Sequence, residues 1–316
     1  MTSHRKLLIF PALGMAAALV WTVAGGMTVA HGQEKPFSIH RAHDGTYRKP
    51  FGKPIFILAL GSDSGAPAYG RGGTPESGRA DSIHIIAINP QLKKATLVGI
   101  PRDSYVQLAC GGKNKINAGM FFGGAKCMID TIEALSGGRL KFDYYMVGGF
   151  SGLENAINDI GGIPVNVDRG DAPGTRSVLT DSNSRSEGLR TGPNILNGHY
   201  AVAYSRNRHD YARGDFNRSV HQGQVMIGAL TKARSLVDTD PGKTLVFLRA
   251  ILRGVKTDIP VVDALHLGLL ALQLKPADVK NVLLDGTTGT TDAGSSVLLT
   301  NPQAVLANVA DDAIIN

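Results

Sequence analysis

The chain has 316 residues, 43% of them apolar, which leaves room for one large domain or two ordinary ones and excludes a chain too polar to bury a core. Lys and Arg outnumber Asp and Glu by 33 to 26, a formal charge of +7 that favours acidic partners: phosphates, anionic lipid or nucleic acid. The two cysteines have no second pair or adjacent histidine, which excludes a zinc ribbon.

In chain order, the first feature is an uncharged stretch over residues 7–30, preceded by His4, Arg5 and Lys6. It exceeds the ~20 residues that a bilayer-crossing helix needs and the ~7–15 of a signal-peptide core. The basic flank comes first, so the amino terminus is expected in the cytoplasm and the rest outside. Residues 1–31 are accordingly read as a cytoplasmic tip and transmembrane signal-anchor, with cleavage after Ala30 as the alternative. Both readings export the remainder. Residues 32–53, polar and basic without periodicity, read as a linker, and residues 54–316 as one extracytoplasmic domain.

Short apolar runs at residues 54–61, 82–89 and 94–101 predict buried strands, the last two joined as a hairpin. Residues 117–137 carry helical spacing interrupted by Gly123 and Gly124. Residues 144–150 and 163–167 resume strand character around a helix at 151–162 that ends on glycine. Residues 168–195, rich in Gly, Ser, Asp and Arg, read as a mobile loop. Helices are expected from Asn197, over 219–236, 242–255 and 262–274, and from Pro302, with a weak strand at 281–286. Mixed strands and helices predict one α/β domain behind the anchor. Cys110 and Cys127, in an oxidising compartment, are most simply a disulfide; two buried thiols are the alternative.

Charged residues gather at the tips of the apolar strands. Asp63 follows the first run, Arg79 and Asp81 precede the second, and Arg102 and Asp103 close the third. A lone acid in such a place is a turn former or a cap. Three in succession, two with an arginine, suggest convergence on one mouth of the sheet, where α/β proteins bind ligands. The fourth cluster is "AYSRNRHDYARGDFNRSVHQ", residues 203–222, with Arg206, Arg208, Arg213 and Arg218. It reads either as a solvated basic face or as an anion site, since a guanidinium fork fits two phosphate oxygens at once.

"GRADSIHIIAINPQLKKATLVGIPRDSYV", "KINAGMFFGG" and "YSRNRHDYARGDFNRSVHQGQV" resemble, in order, the signature blocks of the LytR-CpsA-Psr family, with similarity over residues 55–236. The resemblance implies an α/β/α sandwich with a central mixed sheet and a hydrophobic pocket for a polyprenyl tail. It also implies a membrane-anchored, phosphotransferase-type ligase that moves a glycopolymer from a polyprenyl-pyrophosphate carrier to peptidoglycan, assisted by magnesium. By motif match Asp63 and Asp81 would hold the metal, and Arg79, Arg102, Arg206, Arg208 and Arg218 the pyrophosphate. Asp103 would orient Arg102 or serve as the base for the acceptor hydroxyl. The Cys110/Cys127 pair resembles the actinobacterial members. The helices around 120–135 and 225–236 could wall a lipid slot or be ordinary core. Two positions depart from the pattern: Gly65 and His221 stand where the family commonly has arginine, each removing fixed positive charge. The alternatives are a hydrolase of lipid-linked pyrophosphates and a non-catalytic regulatory or polyprenyl-phosphate-binding paralogue. Nucleic acid is not an expected partner, because an exported domain never meets the chromosome and no recognition-helix motif accompanies the charge.

Overall fold

The three apolar runs fold as strands β1 (Ile55–Ser62), β2 (Ser82–Asn89) and β3 (Lys94–Gly99), an antiparallel meander at the centre of one sheet. This computed structural model describes residues 52–62, 78–171 and 177–315. The proposed anchor, nearly all of the linker, Asp63 and Gly65 lie outside the described residues. Within them, no helix is long and apolar enough to cross a membrane.

The chain continues through β4 (Tyr105–Gln107) and β5 (Lys113–Lys115), α1 (Ala118–Leu135), β6 (Tyr144–Gly149) and α2 (Phe150–Asp159). A ribbon of β7 (Ile163–Val167) and β8 (Gly192–Leu196) leads to α3 (Gly198–Arg206) and the long α4 (Asp215–Thr239). Then follow α5 (Pro241–Gly254), β9 (Val255–Thr257), α6 (Val261–Gln273), β10 (Val279–Leu283), the hairpin β11 (Gly286–Thr291) and β12 (Gly294–Leu299), and α7 (Pro302–Asp312). The main sheet has the order β10-β3-β2-β1-β6-β9. It is mixed: β6 lies parallel to β1 and β10 parallel to β3, the other pairs antiparallel.

Side chains alternate across a strand, and both faces of this sheet are covered. Phe56, Leu58, Leu60, Ile83 and Ile85 pack with Met128 and Ile132 of α1 and Leu306 and Val309 of α7. On the opposite face Ile55 and Ile57 meet Leu267 of α6, and Ile88 meets Leu274 with Leu230 of α4. A further core of Ile157, Ile163, Leu196, Tyr204, Leu236 and Phe247 joins α2 to α5 with the β7–β8 ribbon. The helices around 120–135 and 225–236 thus contribute Met120, Met128, Ile132, Val225 and Leu236 to these cores.

Local rules explain the boundaries. The Asn197 side chain accepts the backbone N–H of Tyr200 at 2.9 Å, capping α3 where the sequence placed its start. The interruption in α1 is real: Gly123 and Gly124 leave helical angles, the latter at φ 63°. Beside them Cys110 and Cys127 form a disulfide with Cα atoms 5.5 Å apart, and a Cβ on Gly123 would sit 2.7 Å from that of Cys127. Where it is described, the segment expected to be a mobile loop over 168–195 is ordered at 177–191 instead. Leu179 and Leu189 are buried and bonded backbone to backbone at 2.8 Å, and Asp181, Ser184 and Ser186 are buried with them. The polar groups it buries, Asp181, Ser184 and Ser186, bond to one another and to the backbone.

Candidate functional site at the edge of the central sheet

The end of β1, the start of β2 and the end of β3 fall on one edge, fixed by the register Gly61↔Ser82 and His84↔Gly99. Asp81 sits there with its N–H on the carbonyl of Gly61 at 2.7 Å. Arg102 lies in the turn after β3, where its carbonyl accepts the N–H of Asn117 at 3.1 Å from the foot of α1. Helix α4 crosses the same edge closely: a Cβ on Gly99 would lie 3.2 Å from the His84 ring and 3.3 Å from Ser219. Only a residue without a side chain lets the helix approach so far.

That approach delivers Arg218 to Asp81. Arg102 Nη1 bonds Asp81 Oδ1, and Arg218 Nη2 lies 3.3 Å from the same oxygen while also donating to the Asp81 carbonyl. Asp215, one turn before Arg218, completes the cluster, 3.4 Å from Arg102 Nε and 3.7 Å from Arg218 Nη1. Burial alone would lower the Arg102 pKa, but Asp81, Asp215 and Asp103 outweigh it and raise it. For Arg218 burial is the larger cause, reinforced by the charge on Arg102, and its pKa is lowered. Asp103 stands beside Arg102 at 4.0 Å and beside Lys115 Nζ at 3.6 Å.

The other predicted arginines take different positions. Arg206 ends α3 with its guanidinium 5.4 Å above the Phe150 ring. Arg208 is exposed on the following turn, and Arg79 is exposed one residue before buried Ala80. The turn is tied to the cluster at its root, because the Gln222 amide nitrogen lies 3.2 Å from both the Asp81 and Ser205 carbonyls. Arg213 points elsewhere, to Asp285 and the Phe216 ring. Sequence reading thus found Asp81, Arg102, Asp103 and Arg218 together, with Arg206 adjacent.

Some participants lie in the quoted blocks but were assigned no role by the sequence reading. Asp215 reads as an ordinary first-turn acid, and Lys115 as part of a polar turn. His221, expected as a lost charge in the cluster, is fully buried. Its ring stacks on Tyr204 at 4.3 Å and meets the edge of Tyr211 at 4.4 Å, with Nε2 3.6 Å from Asp168. Burial lowers its pKa despite Asp168. It packs the excursion that carries Arg206 and Arg208.

The donor set can be tested against a divalent ion. Among the described residues no group of three or more His, Cys, Asp or Glu could hold one. Magnesium asks for less: one or two carboxylates, with water and substrate oxygens completing the shell. Both carboxylate oxygens of Asp215 are buried without a hydrogen-bond partner beside Asp81. Asp215 Oδ1 faces Arg102 and Arg218 as an ion pair, and carboxylate oxygen without a hydrogen bond is the hard donor type that a small hard cation takes.

Most of the chain matches known proteins. The model of the LytR_cpsA_psr family covers residues 23–312. The polyisoprenyl-teichoic acid–peptidoglycan teichoic acid transferase TagU of Enterococcus faecalis is 30% identical over 89% of this chain and 84% of its own. The transferase of the same description called TagV, from Bacillus subtilis, is 31% identical over 68% of this chain, which spans 52% of that protein. The crystal structure of B. subtilis TagV superposes with a TM-score of 0.63, covering 82% of this chain and 96% of that one at 24% identity. With its mixed central sheet and its charged edge, this chain belongs to the LytR-CpsA-Psr family.

Proposed function

We propose that the chain transfers a glycopolymer from a polyprenyl-pyrophosphate carrier to peptidoglycan. The observation that carries this reading is the pair of guanidiniums, Arg102 and Arg218, fixed on the single carboxylate of Asp81 at the sheet edge. Two cations held side by side before any substrate arrives form a preorganised site for charge that grows on a leaving phosphate. Arg206 and the exposed Arg79 and Arg208 would receive the outer phosphate oxygens. The transferase descriptions of the TagU and TagV relatives point to the same reaction class.

The acceptor hydroxyl attacks the phosphorus that carries the saccharide, and polyprenyl phosphate leaves. Arg102 and Arg218 bind the departing charge, and Asp81 keeps both forks oriented. Asp103, between Arg102 and Lys115, positions Arg102 from the side away from Asp81. Asp81 with Asp63 would hold magnesium, which supplies charge neutralisation on the phosphate oxygens when bound. The lipid tail would lie between α5 and α6, where Leu245, Leu248, Ile251, Leu252, Leu265 and Leu270 remain only half-buried. A Cβ on Gly268 would lie 3.8 Å from Leu248, so the two helices face each other there. Residues 1–31 would keep the domain on the outer face of the cytoplasmic membrane, within reach of a lipid-borne donor.

The test is incubation of the purified chain with a synthetic polyprenyl-pyrophosphoryl saccharide, with and without peptidoglycan. Saccharide linked to peptidoglycan, formed together with polyprenyl phosphate and only when the acceptor is present, is the expected result. Cleavage at equal rate without acceptor would make the protein a hydrolase. Reporter fusions after residue 316 check the topology: alkaline phosphatase should be active and a cytoplasm-restricted fluorescent protein dark.

A further inference from the structure

Asp181 lies in the ordered 177–191 segment, its side chain 1% exposed. Its Oδ2 accepts the backbone N–H groups of Arg208 at 3.2 Å and His209 at 3.4 Å. Its Oδ1 accepts those of Asn183 at 3.0 Å and Ser184 at 3.4 Å. The same Oδ1 meets Nδ1 of the His209 ring at 2.9 Å, and that ring is 48% exposed. Burial would raise the pKa of Asp181, but the His209 and backbone hydrogen bonds outweigh it and lower it, so the group stays ionised.

An ionised carboxylate at Nδ1 requires a proton there. The neutral ring is then the Nδ1–H tautomer, with a lone pair on Nε2. The Asn183 amide nitrogen, 3.4 Å from Nδ1, cannot donate to a nitrogen already protonated, so the carboxylate decides. Nothing on this turn is loose: the next residue, Asp210, bonds the Thr180 and Asp181 N–H groups and the Asn207 amide. The charged groups around the ring are Asp181 behind it and Arg208 before it in the chain, while Asp210 is turned toward Thr180 and Asn207.

The location matters as much as the pairing. Ser205, where this turn begins, shares the Gln222 amide with Asp81. Arg206, Arg208 and His209 follow Ser205 directly, on the turn that leaves this tie to Asp81.

We propose that His209, held by Asp181, is the general base for the acceptor hydroxyl. The inference rests on the transfer reading above. The acceptor oxygen forms a bond to the saccharide-bearing phosphorus as the bond from that phosphorus to the bridging oxygen breaks. The electron pair leaves on polyprenyl phosphate, and the hydroxyl proton passes to His209 Nε2. An imidazole oriented by a buried carboxylate is suited to this, since the Nδ1 contact leaves the Nε2 lone pair on the half-exposed side of the ring free to take a proton.

Transfer of the synthetic donor to peptidoglycan is measured with wild type and His209→Gln from about pH 5 to about pH 9. The variant should lose on the order of 100-fold in kcat and the acidic limb of the profile, with KM for the lipid donor within about twofold. Added imidazole should restore part of the rate. A variant that keeps both the rate and the acidic limb overturns the proposal while leaving the transfer reading intact. A wild type that forms no linked product fails the transfer reading itself. The tautomer gives a readout independent of turnover: nitrogen NMR of the imidazole should show Nδ1–H, and an Nε2–H signal would overturn the proposal.

Discussion

Arg218 holds Asp81 twice, through the carboxylate at 3.3 Å and through the backbone carbonyl of the same residue. One side chain thereby locks α4 to the edge of the sheet and supplies positive charge at the same point. Structure and chemistry share this residue, so variants here must be read with stability measured beside activity.

Removing Arg218 should cost more than removing any other arginine of the cluster. Arg218→Ala leaves Asp81 and Asp215 with less compensation in a buried place, a change worth about 3–5 kcal/mol. Arg208→Ala, on the exposed turn, should stay within about 0.5 kcal/mol of wild type. Charge-assisted hydrogen bonds are worth ~1.5–3 kcal/mol, so the same exposed variant should cut transfer roughly tenfold to a hundredfold. Urea denaturation of both proteins, beside the transfer assay, separates the two effects. An Arg218→Ala protein as stable as wild type would show that the double contact is energetically idle.

The disulfide closes a separation of 17 residues and should contribute about 3 kcal/mol through the unfolded chain. Cys110→Ser with Cys127→Ser should lower the melting temperature by several degrees. Thiol titration of the native protein before reduction should find no free group. Two reactive thiols would count against the bridge.

His84 gives the fold a pH dependence of definite sign. The ring is buried, with Nε2 on the Ser219 carbonyl at 3.1 Å and Nδ1 by the Ser82 hydroxyl at 3.3 Å. Burial depresses its pKa from 6.5 to about 4, against the pull of the Ser219 bond. Below pH 6.5 the unfolded chain takes up a proton that the native ring refuses. Stability is therefore full above that pH and falls as the pH approaches about 4, by roughly 3 kcal/mol from this residue. Denaturant midpoints measured across that window should fall for wild type and flatten for His84→Gln. Parallel slopes in the two proteins would remove His84 as the cause.

Asp210 should be the strongest single support of residues 177–191. Asp210→Ala deprives the Thr180 N–H and hydroxyl, the Asp181 N–H and the Asn207 amide of their acceptor. Each buried donor left unpaired costs ~1–3 kcal/mol. Hydrogen exchange should show these residues opening while the central sheet stays protected. Unchanged protection at residues 179–189 would assign the support elsewhere.

The sequence by itself determined the parts set by near neighbours. Apolar runs marked β1, β2 and β3, Asn197 marked the cap of α3, and paired glycines marked the break in α1, because periodicity, capping and left-handed angles act over a few residues. The motif order was also legible, and with it Asp81, Arg102, Asp103 and Arg218 as partners. The tertiary structure alone decided what depends on distant chain. Hairpin β11–β12 is rich in Gly, Ser and Thr, and β11 has no apolar residue to announce it; pairing across the ladder makes it a strand pair. Arg208 and Arg218 look alike in the sequence, yet one is exposed and the other buried on Asp81. Asp181 and Asp210 looked like loop acids until the fold enclosed them. The Asp81–Gln222 contact spans 141 residues and His84–Ser219 spans 135. Contacts at such separation leave no local pattern, because chain topology, rather than the residues on either side, chooses which groups meet.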